Sequence, residues 1–185
     1  MRVLGISGSL RKASINSALL RAASRLAPPG MEFTVFNGVG GLPLFNPDLE
    51  ASLPSQVLAL HGAVAKSDAL LFASPEYAHG VTGAIKNTLD WLVSFELFVG
   101  KHVVVLNSSP RAHHADSALR ETLRTMSAVI VEPASVSIPL LGAKLNEESM
   151  IENPIVSLAI KGCLASLHTA LIQGLPEQGS MSSLQ

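Results

Sequence analysis

Apolar residues along this chain fall into two alternating patterns, short unbroken runs and longer stretches with apolar positions three and four residues apart. An unbroken apolar run of four to eight residues is the signature of a strand covered on both faces, and three-four spacing is that of a helix with one buried stripe. Residues 2–6 form the first predicted strand, and residues 14–26 a helix with Ala18, Leu19, Ala22, Ala23 and Leu26 along one face. Pro28-Pro29-Gly30 stops that helix, because proline cannot continue the hydrogen-bond ladder. A second strand is predicted over 32–36, and a Gly/Pro/Asn-rich stretch over 38–54 leads to a helix over 55–65. The pattern then predicts a strand over 69–73, a helix over 84–94, a strand over 102–106, a helix over 115–126, a strand over 128–136 and a final helix over 155–171.

Strands joined by helical crossovers imply a parallel sheet with helices on both faces, and right-handed crossovers favour a doubly wound α/β sheet. Ligands of such sheets sit beyond the carboxyl ends of the strands, so the segments after the first, third and fourth strands carry the chemical interest. The chain has 185 residues, which suits one α/β domain over 1–175 with a flexible tail over 176–185. Its net charge of −1 gives no electrostatic case for nucleic acid or for an electron carrier steered by strong charge. One cysteine, Cys163, cannot form an internal disulfide, and no apolar run approaches the ~20 residues of a membrane span. No secretory signal is read at the amino end, and a cytoplasmic protein without a membrane partner is expected.

The segment after the first strand reads Gly5-Ile6-Ser7-Gly8-Ser9-Leu10-Arg11-Lys12-Ala13-Ser14-Ile15-Asn16-Ser17. It joins a buried strand to a helix amino terminus, where free N–H groups and the helix dipole attract an anion. Ser9, Ser14 and Ser17 offer hydroxyls and Arg11 a charge-assisted donor, and Ser14 is equally a good helix cap. The glycine spacing does not fit a dinucleotide fingerprint, and the second strand ends Phe36-Asn37 without the acid a ribose would meet. Walker and nucleophile-elbow patterns also fail, which leaves a hydroxyl-rich monophosphate cradle.

Gly8-Ser9-Leu10-Arg11-Lys12 with Ser14 and Asn16 resembles the phosphate loop of the NADPH-dependent FMN reductase family, which includes quinone, chromate and azo reductases. A second stretch strengthens the resemblance: Pro75-Glu76-Tyr77 and then Lys86-Asn87-Thr88-Leu89-Asp90-Trp91 resemble the family's Pro-Glu-Tyr-Asn and Leu-Lys-Asn-x-x-Asp-Trp at the same separation. The sequence departs from that pattern at Ala78, where asparagine is usual, at His79, and at Thr82, where proline is usual. The resemblance implies a flavodoxin-like three-layer sandwich with a five-stranded parallel sheet in the order 2-1-3-4-5. It further implies FMN as cofactor and NADPH or NADH as co-substrate, with Ser9, Arg11, Asn16 and Ser17 holding the phosphate and ribityl chain. Ser14 completes that loop, and Pro75, Glu76, Tyr77, Ala78 and His79 form the wall for the flavin ring.

After the fourth strand comes Asn107-Ser108-Ser109-Pro110-Arg111-Ala112-His113-His114, where relatives often have Ser-Pro-Gly and further glycines. Ser109 is the matching contact, Arg111 is a candidate for an NADPH phosphate, and the adjacent histidines do not by themselves make a metal site. Glu76 is read as structural or helix-positioning, and Lys86, Asn87, Asp90 and Trp91 as packing, capping or subunit contacts. The activity implied is hydride transfer from NAD(P)H to bound FMN, then electron transfer to a quinone or similar small-molecule acceptor, with no catalytic side chain named. Two alternatives stay open: a flavin reductase supplying reduced FMN to a partner monooxygenase, and a flavodoxin-type electron carrier. A non-flavin phosphate-binding module on the same fold is a third. Phe95, Leu97 and Phe98 suggest an exposed apolar cluster, and the resemblance implies a homodimer or homotetramer.

Overall fold

In the computed structural model, which describes residues 1–140 and 145–173, the apolar runs pair into one parallel sheet of order β2-β1-β3-β4-β5. The strands are β1 (Arg2–Ser7), β2 (Glu32–Val35), β3 (Ala69–Ala73), β4 (His102–Leu106) and β5 (Val129–Ile130). The helices are α1 (Ile15–Arg25), α2 (Ser55–Ala65), α3 (Gly83–Asp90), α4 (His113–Thr125), α5 (Glu147–Glu152) and α6 (Pro154–Gln173). Each of the five residues of β3 is fully buried because the sheet is covered on both sides. Ala69, Leu71 and Ala73 point into the layer formed with α1 and α6, whereas Leu70 and Phe72 point into the layer formed with α2, α3 and α4. Chain order reverses between β1 and β3, which pair from Val3↔Ala69 to Ser7↔Ala73. The loops leaving these strands therefore diverge there and open a crevice.

Four elements differ from the pattern in the sequence. The fifth strand, expected over 128–136, pairs only through Val129 and Ile130 and then turns into a short 3₁₀ segment, Glu132–Ala134. Pro133 has no N–H for a ladder. The Val105 N–H is instead taken by the Ser135 hydroxyl at 3.1 Å, so the buried donor stays paired. A helix that the sequence reading omits, α5, starts at a reciprocal cap in which Asn146 Oδ1 accepts from Ser149 N–H at 3.0 Å and Ser149 Oγ accepts from Asn146 N–H at 2.8 Å. The third helix, expected to 94, ends at Asp90. The expectation of no membrane-length apolar segment is also corrected, since α6 is long and apolar enough by length and composition to cross a bilayer. Val156, Ile160, Cys163, Leu164, Leu167 and Ala170 place one side of it in the core. The tail expected over 176–185 lies outside the described residues.

The early end of α3 has a clear cause. Trp91 is buried, and its indole Nε1–H donates to the Pro43 carbonyl at 2.8 Å. Asn87 reaches the same loop twice, with Nδ2 donating to Pro43 O at 2.9 Å and Oδ1 accepting from Phe45 N–H at 2.8 Å. Phe45 packs edge-on against Trp91 with ring centroids 5.0 Å apart. Asn87 and Trp91 thus staple the Pro-rich stretch after β2 to the sheet, and Lys86 and Asp90 pair along the outer face of α3. Asn87→Ala is expected to lower stability by about 2 kcal/mol, because it leaves the partly buried Phe45 N–H unpaired and removes one of the two donors to Pro43 O. Urea denaturation followed by circular dichroism checks this, with a loss below about 0.5 kcal/mol counting against the staple.

Candidate functional site

Gly8 ends β1's path toward α1 at the most crowded point of the crevice. A Cβ at this position would lie 2.6 Å from the Ser74 Cβ, so only glycine lets the first loop pass the start of the third-strand loop. Gly8 N–H donates to Ala73 O at 2.9 Å, and Gly8 O accepts from the Thr82 hydroxyl at 2.7 Å. The same Thr82 oxygen accepts from Ile85 N–H at 3.2 Å and so caps α3. Thr82 is 4% exposed. At this departure from the family pattern the side chain performs two tasks that a proline, lacking a hydroxyl, cannot.

Beyond Gly8 the loop is organised by its serines. Ser7 Oγ lies 2.8 Å from Ser17 Oγ and accepts from Ser9 N–H at 3.2 Å. Ser14 caps α1 through Oγ, which accepts from Ser17 N–H at 3.2 Å. Asn16 is 2% exposed, and its Oδ1 has no hydrogen-bond partner among the described residues. A buried acceptor without a donor is costly in an isolated chain and fits a ligand that brings the donor.

The loop after β3 closes with a tight turn. Tyr77 and Gly80 exchange backbone hydrogen bonds of 3.1 and 3.0 Å, while Ala78 and His79 between them have φ of 50° and 58°. Two successive left-handed residues define a type I′ turn, which favours asparagine and glycine. Ala78 occupies a place where a Cβ is disfavoured, and this accounts physically for asparagine being usual there.

The loop after β4 is tied by Asn107, whose Oδ1 accepts from Ser109 N–H at 2.9 Å, and by Ser109 Oγ, which accepts from Arg111 N–H at 3.2 Å. It feeds α4, whose N-cap residue Ala112 has no capping side chain. Glu76 supplies the missing cap from the other loop: its Oε2 accepts from Ala115 N–H at 2.8 Å. That bond holds the Glu76 carboxyl below the usual range, assisted by the nearby His114 and His79 imidazoles, with His79 Nδ1 3.3 Å from Oε1. His114 lies between the other two imidazoles, edge-on to His79 with centroids 4.6 Å apart and tilted against His113 at 4.1 Å.

Together the three loops enclose a cleft of about 340 Å³. Ser9, Arg11, Ser14, Asn16, Pro75, Glu76, Tyr77 and Ser109 of the residues expected from the sequence line it. Three others do not: Ser17 is turned away by its bond to Ser7, and Ala78 and His79 stand at the tip of the turn. Ile15, Ser108, Arg111 and Ala112 also line the cleft. Ser108 is buried and gives no sequence signal beyond its neighbour Ser109, whereas the cationic Arg111 was already a candidate for a phosphate. Neither Arg11 nor Arg111 has a carboxylate partner among the described residues. One end of the cleft therefore offers a cation, hydroxyls and the first turn of α1, while the other offers Pro75 and a half-exposed Tyr77.

This is a mononucleotide-type site at the switch point of a doubly wound flavodoxin-like sheet. Residues 1–141 match the NADPH-dependent FMN reductase family, and the chain belongs to it. It is 40% identical over 129 residues to an NAD(P)H-dependent FMN reductase of Pseudomonas aeruginosa, a match covering 66% of this chain and 69% of that protein. It is 33% identical over 113 residues to a quinone reductase of Escherichia coli, covering 59% of this chain and 60% of the relative. Among solved structures, the flavoenzyme NAD(P)H:(acceptor) oxidoreductase FerB of Paracoccus denitrificans superposes with a TM-score of 0.69 at 26% identity, over 91% of this chain and 97% of that one. FMN is the cofactor that membership implies, NAD(P)H is the co-substrate, and the cleft's donor set fits FMN. Arg11 and Ser9 suit a phosphate, the unpaired Asn16 Oδ1 suits a hydroxyl of a polyol chain, and Pro75 and Tyr77 suit a planar ring.

Replacing Ala78 with glycine should raise stability by about 1 kcal/mol, since the left-handed φ no longer meets a Cβ; an unchanged or lowered urea midpoint would argue against the turn. The Glu76 bond contributes stability above the ordinary glutamate value of 4.5, and that contribution is lost as pH falls through the lowered folded-state value. Glu76→Ala should therefore reduce the urea midpoint at pH 7, and the difference from the parent should shrink below pH 4. A pH-independent difference would show that the carboxylate charge is not involved.

Proposed function

We propose that this chain is an NAD(P)H:quinone oxidoreductase that holds FMN in the cleft between the loops after β1, β3 and β4. The observation that carries the cofactor site is Asn16, a residue of the cleft lining whose buried side-chain oxygen has no partner among the described residues, beside the donor set described above. FMN, when bound, supplies the redox chemistry by accepting hydride from a nicotinamide and passing electrons to a second substrate. The chain's own residues bind and orient. Arg11 and Ser9 hold the phosphate end, Asn16 positions the polyol chain, and Glu76 keeps the two ring-side loops at a set spacing. No side chain is assigned a proton-transfer step. A quinone as acceptor is supported by the names of the Escherichia coli relative and of a 2-hydroxy-1,4-benzoquinone reductase of a Burkholderia species, 37% identical over 91 residues.

An oligomer is supported by the surface between α3 and α4. Phe98 is buried and Phe95 stacks on His61 with centroids 4.1 Å apart, so the apolar cluster expected at 95–98 is not exposed as a unit. Val93, Leu97 and Val99 are exposed instead, and Val93 and Val99 line a groove shared with Thr125 and Met126. We place the protein in a reducing, cytoplasmic setting, consistent with its single cysteine, which is buried with its thiol pushed up to about 12.

Purified protein is expected to be yellow, to retain FMN through gel filtration, to bleach with NADPH without oxygen and to recover colour with a benzoquinone. Failure to take up FMN overturns the proposal. Asn16→Leu should weaken FMN binding about tenfold or more while raising apoprotein stability by about 1 kcal/mol, because it removes an unpaired buried carbonyl oxygen. Flavin fluorescence titration and thermal melts measure the two effects, and a fall in both would reduce Asn16 to a packing role.

A further inference from the structure

The phosphate loop has two sides, and the cofactor cleft uses only one. On the other side, between this loop and the segment after β2, lies a second cleft, also of about 340 Å³. Ser9 and Arg11 line both clefts, so the two are separated by the thickness of one loop. The outer cleft gathers Arg11, Lys12 and Arg21, and no aspartate or glutamate among the described residues lines it. Arg11 and Lys12 have no carboxylate partner among the described residues. Arg21 meets Glu147 through Nε at 2.8 Å, and its terminal nitrogens have no partner among the described residues. In a chain of net charge −1, two cations without a carboxylate partner beside a third that is paired on one side make a locally positive cleft.

The opposite wall is apolar, formed by Val35, Phe36 and Val39 with Asn37 at the mouth. A Cβ at Gly38 would lie 2.6 Å from Phe36 Cζ, so this glycine lets the backbone fold down onto the ring and hold it in place. The position in the fold decides what the combination suits. In doubly wound sheets that bind dinucleotides through a glycine fingerprint, which this chain lacks, the end of the second strand reads the adenosine ribose: an acid there accepts from a 2′-hydroxyl, and a cation nearby takes a 2′-phosphate. Here β2 runs out into Phe36-Asn37, without an acid, opposite three cations.

We propose that the outer cleft is a phosphomonoester subsite that takes the phosphorylated adenosine end of NADPH, with Lys12 on the 2′-phosphate and Phe36 against the adenine. This rests on NAD(P)H being the reductant, and it makes Lys12 a specificity-determining residue for NADPH over NADH. Arg111 lines the cofactor cleft and not the outer one.

The test uses FMN-loaded protein and 2′,5′-ADP as probe, read by calorimetry. Lys12→Ala, which alters only the outer cleft, is expected to weaken 2′,5′-ADP binding about tenfold at low salt through loss of one charge-assisted contact. Its FMN content should be unchanged, and its KM for NADPH should rise by a similar factor at constant kcat, with the KM for NADH unmoved. Asn37→Asp, placing an acid opposite the cations, should shift preference toward NADH. The subsite is overturned if Lys12→Ala leaves 2′,5′-ADP binding and the NADPH KM unchanged, if 5′-AMP or FMN binds the cleft as well as 2′,5′-ADP, or if Arg111→Ala costs the probe as much as Lys12→Ala. These outcomes are separable from failure of the reductase reading, which is a protein that takes up no FMN. In that case binding of 2′,5′-ADP through Lys12 would still be measured on the apoprotein.

Discussion

The Thr82 hydroxyl, bonded to Gly8 O at 2.7 Å and to Ile85 N–H at 3.2 Å, joins two loops that leave neighbouring strands in opposite directions. A crevice at a topological switch point is open by construction, so its width must be set by something other than the sheet. Here one buried oxygen sets it, together with the missing Cβ of Gly8 against Ser74. Because the hydroxyl also caps α3, the position of the phosphate loop, the turn after β3 and the start of the next helix are coupled through one atom. The cofactor cleft inherits its shape from that coupling.

The remaining loop is attached by charge rather than by close packing. α4 begins without a capping side chain of its own, and Glu76 provides the acceptor from across the cleft. A carboxylate at a helix amino terminus is stabilised by free N–H groups and by the helix dipole. Glu76 therefore serves the site by holding its walls together, and the cluster of three histidines adjoins it through His79 Nδ1, 3.3 Å from Oε1. Asn87 and Trp91 do the equivalent work lower down, where they pin the loop after β2 beneath α3. Residues just before the pinned stretch, Val35, Phe36, Asn37, Val39 and Gly40, line the second cleft.

Most of the fold was legible because buried parallel strands are apolar throughout and their covering helices repeat at three and four. The misreadings have physical causes. Residues 128–136 have the composition of a strand, but Pro133 cannot donate and Ser135 replaces the ladder with a side-chain bond. The helix α5 rests on a cap pairing Asn146 with Ser149, where a glutamate or glutamine at the third position is the usual signal. The polar interruptions of α6, Lys161 and His168 among them, hid a helix of membrane-compatible length whose buried stripe belongs to the core.

By itself, the sequence determined the layer architecture, the strand ends that carry the site, the monophosphate character of the first loop and the family. These depend on local composition and on spacing within a single segment. Only the tertiary structure decided which side chains face the cleft. Ser17 is turned aside by Ser7, Ala78 and His79 are lifted onto a turn tip, and Asn16 is buried with its acceptor unpaired. It also decided that Arg11 lines two clefts and that Lys12 lines one. The reason is that a side chain's direction depends on partners distant in sequence: Gly8 meets Thr82 across 74 positions and Glu76 meets Ala115 across 39, and neither spacing leaves a local trace.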